Sequence, residues 1–65
     1  MDFTSRLILN AEKQLNTFEI YLVEEFFRSD FEQTKEGYAK YLLDLWTREL
    51  IFKDEYDNLI MIVGE

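Results

Sequence analysis

The stretch TSRLILNAEKQLNTFEIYLVEEFFR, residues 4–28, decides the fold class. Ile8, Ala11, Leu15, Phe18, Leu22 and Phe26 recur in it at spacings of three and four, the period of one α-helical face. At roughly 100° per residue they fall within about 80° of arc. A second apolar group, Leu9, Ile20, Val23 and Phe27, lies about 100° away. Glu12 and Glu19 fall between the two groups. One stripe packs against one neighbouring layer, so two stripes predict a helix contacted from two sides. The spacing predicts a single long first helix over 4–28.

Just after this stretch, Ser29-Asp30-Phe31-Glu32 has the form of a capping box. It predicts a second helix from Ser29 to about Leu50. Phe31, Tyr38, Leu42 and Leu45 share one face of it, and Ala39, Tyr41, Leu43, Trp46 and Leu50 widen that face to about 200° of arc. Gly37 inside the helix marks a break or a close approach by helix one. Lys53-Asp54-Glu55 opens a short third helix, its acids suited to the positive end of the helix dipole. Tyr56, Leu59, Ile60 and Val63 form its inner face. Leu59–Val63 also has strand character, with Glu19–Val23 as the available partner. The fold expected is an all-α, three-helix single domain over residues 1–65. Two long helices form a hairpin and a short C-terminal helix completes it.

The chain has 65 residues, 48% of them hydrophobic and 17% aromatic, with no Cys, no His, no Pro and two Gly. Thiolate metal sites, imidazole bases, His-based triads and Gly-rich phosphate loops are therefore excluded. The longest apolar run, Leu59–Val63, is far short of the roughly 20 residues that span a bilayer. No secretory signal pattern opens the sequence. A cytoplasmic protein is expected. Fourteen acids against seven bases give a net charge of −7, and the bases are spread singly. That disfavours nucleic acid and anionic lipid as direct partners. It favours basic protein surfaces, or else it keeps a greasy small protein in solution. Residues with AT-rich codons outnumber those with GC-rich ones, which associates the chain with a low-GC bacterium, its phages or its mobile elements.

The candidate chemical sites have simpler explanations. Asp54, Glu55, Asp57 and Asn58 are oxygen ligands without the spacing of a calcium loop, and they suit a helix start. Glu24 and Glu25 are adjacent on a helix and point about 100° apart, so they do not converge on one cleft. The tyrosines and Trp46 lack the basic groove of a single-strand binder. No catalytic residue, cofactor or metal is expected, and the chain does not read as an enzyme. The functional signal is the six Phe, four Tyr and one Trp. Phe26, Phe27 and Phe31 gather at the first turn; Tyr41, Trp46 and Phe52 gather at the second. They form either a tightly aromatic core or a patch shared with a partner.

Within residues 42–63, Leu42-Leu43-Asp44-Leu45-Trp46 is followed by Glu49-Leu50-Ile51-Phe52-Lys53-Asp54-Glu55-Tyr56 and then Leu59-Ile60. This segment resembles the short helical hairpin called SHOCT, with Leu50, Ile51, Glu55 and Tyr56 in register. Glu49 stands where that pattern has its turn Gly, and Phe52 where it has a capping Thr. The resemblance covers about a third of the chain. It implies a hairpin used for oligomerisation or docking, with no catalytic residues to carry over.

The function expected is that of a small acidic regulator or inhibitor that docks an aromatic helical surface on a larger protein. Phe27, Tyr41, Trp46 and Phe52 are the partner-binding anchors. The alternatives are a structural homo-oligomer, a homodimer first among them, and an acidic nucleic-acid mimic that blocks a DNA-binding protein.

Overall fold

The computed structural model describes residues 2–63. They form four helices: α1 (Phe3–Gln14), α2 (Thr17–Arg28), α3 (Lys35–Thr47) and α4 (Lys53–Met61). There is no strand among the described residues, so Leu59–Met61 ends a helix and the β alternative falls.

The expected first helix is two helices. Leu15 and Asn16 are both extended, with ψ of 154° and 176°. Asn16 caps α2: its side-chain oxygen accepts the Glu19 N–H at 2.9 Å, and Glu19 Oε1 accepts the Asn16 N–H at 3.2 Å. That is a full capping box, and it holds the chain in a turn. A continuous 4–28 helix would be about 37 Å long, longer than the molecule's greatest extent of 32 Å. The break also changes which residues face inward. Glu19 is buried and Phe18 is exposed, the reverse of the order read from a straight helix.

The second helix starts later than expected. Ser29 ends α2 and does not begin α3. Its hydroxyl donates to the Phe26 carbonyl at 2.7 Å, and the Gln33 amide donates to the same carbonyl at 3.0 Å. These bonds satisfy an acceptor that the helix end orphans. Thr34 caps α3 instead, accepting the Gly37 N–H at 3.1 Å. Gly37 meets the chain just before it, not helix one: a Cβ there would lie 1.8 Å from the Glu32 carbonyl oxygen. The third expected helix begins at Lys53 as read, with Asp54 and Glu55 in its first turn.

α1 packs chiefly on α2, and α3 on α4. One core joins the two halves, built from Leu7, Val23, Phe26, Tyr38, Leu42 and Leu59 among others. Its centre is aromatic. Phe26 meets Tyr38 edge-on at 5.2 Å and Phe31 meets Tyr41 edge-on at 5.6 Å, while Phe26 and Tyr41 lie tilted at 5.3 Å. Such edge contacts add about 0.5–1.5 kcal/mol each beyond area burial. Polar ties cross the core. The Tyr41 hydroxyl donates to the Leu22 carbonyl at 2.6 Å, joining α3 to α2. The Asn58 amide donates to Glu19 Oε2 at 3.3 Å, joining α4 to α2. The Asn10 amide donates to the Ile62 carbonyl at 3.1 Å, joining α1 to the end of α4. Among the described residues no buried side-chain polar atom lacks a partner.

Candidate interaction surface

The turn between α3 and α4 shapes the most apolar part of the surface. α3 ends in a Schellman motif: the Leu50 N–H bonds the Leu45 carbonyl and the Glu49 N–H bonds the Trp46 carbonyl, both at 2.9 Å. Glu49 takes the left-handed position, with φ of 62°. Past it, Ile51 turns into the core while Leu50 and Phe52 point outward. The Phe52 N–H donates to Glu55 Oε1 at 2.8 Å, the return half of a capping box. Phenylalanine has no side-chain acceptor to supply the other half.

Leu43 and Trp46 lie at i and i+3 on the outer face of α3, and Leu50 follows in the turn beyond its end. The Trp46 ring lies on Tyr56 of α4, with centroids 4.8 Å apart, and Phe52 sits one helical turn before Tyr56. The result is a group of exposed apolar side chains at and beside the α3–α4 turn. Leu43 is 50% exposed, Trp46 38%, Leu50 56% and Phe52 80%. Two cations flank it, each paired on its own helix: Arg48 with Asp44 at 3.6 Å and Lys53 with Asp57 at 3.0 Å. Exposed pairs of this kind contribute little to stability. They do neutralise the cations beside the patch. Glu49 and Asp54 have no ion pair among the described residues.

The four expected anchors separate. Trp46 and Phe52 belong to this surface. Phe27 is half-buried against Phe26 and lines another recess, with Ile8 and Gln33. Tyr41 is in the core, 6% exposed, with its hydroxyl committed to Leu22. It does not belong to an exposed surface, because the aromatic centre needs its ring. Burial first, then the Glu25 carboxylate and Tyr21, push the Tyr41 phenol up to about 12. Burial, reinforced by Tyr41 and Glu19, pushes the Tyr38 phenol higher still.

Leu43, Leu50 and Tyr56 join the surface although the sequence reading placed them on inner faces. The signal was present: an apolar arc of about 200° on the second helix is wider than one layer can cover. Asp54, Glu55 and Asp57 serve the start of α4, where Glu55 holds the Phe52 N–H and Asp57 holds Lys53. No group of three or more potential ligands that could hold a metal occurs among the described residues. No helix among them is long and apolar enough to cross a membrane. Comparison with known proteins finds no family model, no curated protein and no solved structure that matches the chain.

Proposed function

We propose that this is a small acidic regulator or inhibitor that binds a larger protein through the α3–α4 surface. The observation that carries the reading is the exposure of Leu43, Trp46, Leu50 and Phe52 at and beside the α3–α4 turn, with Trp46 lying on Tyr56, in a molecule that already has an aromatic core. Exposed contiguous apolar surface of this kind marks interaction sites, and Trp and Tyr are favoured anchors in them. The net charge of −7 would steer the approach to a basic partner. The resemblance of residues 42–63 to a docking hairpin points the same way. The cytoplasm is its compartment in this reading. A phage or mobile-element origin rests on codon-type composition alone.

The test is paired capture from a lysate of the host cell, using the wild-type chain and the variant Leu50→Ser/Phe52→Ser. Both side chains are exposed, so the variant keeps its fold. The reading expects a protein held by the wild type and lost by the variant. Identical captures would contradict it. A wild-type chain that only pairs with itself would favour the homo-oligomer.

A further inference from the structure

The second feature of the surface is a cleft where α1, the start of α3 and the end of α4 meet. It encloses about 400 Å³, within the range of small-molecule sites. Arg6 and Lys35 both line it, and no acid among the described residues does. In a chain with twice as many acids as bases, that is a local reversal of sign. Neither cation has an ion pair among the described residues. Asn10 and Gln14 add amide groups to the wall. The apolar floor comes from Phe3, Met61 and Val63, with Leu7 and Ile62 almost wholly buried beside them. The Asn10–Ile62 bond fixes two walls against each other without help from a ligand.

The geometry points to a binding site for an amphipathic carboxylate, with its head on Arg6 and Lys35 and its apolar chain on Phe3, Met61 and Val63. The guanidinium takes a carboxylate in a two-pronged bond and the ammonium adds a point charge. A bare anion would leave the apolar floor unused, and a neutral chain would leave two cations unpaired. The site lies on other residues than the α3–α4 surface, so the two readings stand or fall separately.

The probe is sodium octanoate, titrated into the full chain and followed by nitrogen–proton correlation NMR, with octanol and acetate as comparators. Saturable shifts are expected around Leu7, Asn10 and Ile62. Octanoate should bind at least about tenfold more tightly than either comparator, the worth of one or two charge-assisted hydrogen bonds. Arg6→Gln/Lys35→Gln should remove that advantage. Lys13→Gln/Lys40→Gln removes the same charge from residues that do not line the cleft, and should keep it. A peptide ending in leucine, as free acid and as amide, separates two sources of the same chemistry. If the free acid binds more tightly than octanoate, the site is for protein C-termini; if octanoate binds more tightly, it is for free acids. Octanol or acetate matching octanoate, an unaffected Arg6/Lys35 variant, or no saturable binding would each overturn the assignment.

Discussion

The Tyr38 hydroxyl donates to the Leu59 carbonyl at 2.9 Å, in the interior between α3 and α4. Leu59 lies in the last turn of α4, where a helix leaves its carbonyls without backbone partners. α4 has nine residues, too few to hold a helix alone in water. Its position therefore depends on packing and on ties such as this one. The same helix carries Tyr56 and is opened by Phe52, so the shape of the interaction surface depends on the tie as well.

Tyr38→Phe keeps the ring and removes the hydroxyl. The Leu59 carbonyl is then buried without its partner, which costs about 1–3 kcal/mol. Urea unfolding measures the loss, and hydrogen exchange should show α4 amides opening first. Wild-type stability in this variant would mean that the bond contributes nothing.

Glu19→Gln tests the buried carboxylate at the α2 start. Glu19 accepts from the Asn16 N–H with one oxygen and from the Asn58 amide with the other. Glutamine offers one oxygen and one NH2, so one donor must face another. A loss of about 1 kcal/mol is expected in chemical denaturation. A gain would mean that desolvating the charge costs more than the two bonds return.

Glu49→Gly should stabilise the protein. A residue with a Cβ at φ of 62° costs roughly 1–2 kcal/mol, and glycine does not incur that cost. The gain should be about 1 kcal/mol, reduced by the freedom glycine adds to the unfolded chain. Thermal melting measures it. Glu49→Ala keeps the Cβ and should leave the melting temperature close to wild type.

Alkaline pH should unfold the protein. The Tyr41 phenol titrates at about 12 when folded against an ordinary value of 10.0, and Tyr38 is shifted in the same direction. Between those values the unfolded chain releases protons that the folded chain keeps. Stability is then complete below about pH 10 and falls as pH rises toward about 12. Denaturant midpoints measured across that window should drop steadily, and Tyr41→Phe should lessen the drop, leaving the part that Tyr38 contributes. A flat profile in the wild type would show that neither phenol is shielded.

The helical class was legible because Leu22, Phe26, Leu42 and Leu45 repeat at helical spacing and are all buried. The break at Leu15–Asn16 was not, because the apolar stripe continues through it. Asn16 and Glu19 carry the capping-box spacing that marks it, but the same pattern at Ser29 and Glu32 does not start a helix. There the Ser29 hydroxyl is drawn to the Phe26 carbonyl. Local chemistry alone could not choose between the two. Tyr41 and Trp46 show the same limit at the site. Both sit on a wide apolar arc, yet one fills the aromatic centre and the other lies at the surface on Tyr56. Which one is buried depends on where α2 and α4 lie across α3, and periodicity along one helix carries no such information.

Contact between Phe52 and a foreign protein can be captured with a photo-crosslinking benzophenone amino acid in place of Phe52, expressed in the host cell and irradiated there. The same probe in place of Lys13 serves as the comparison. One dominant adduct with a larger protein is expected from position 52 and none from position 13. No adduct from position 52, or an adduct only with a second copy of the chain, would contradict it.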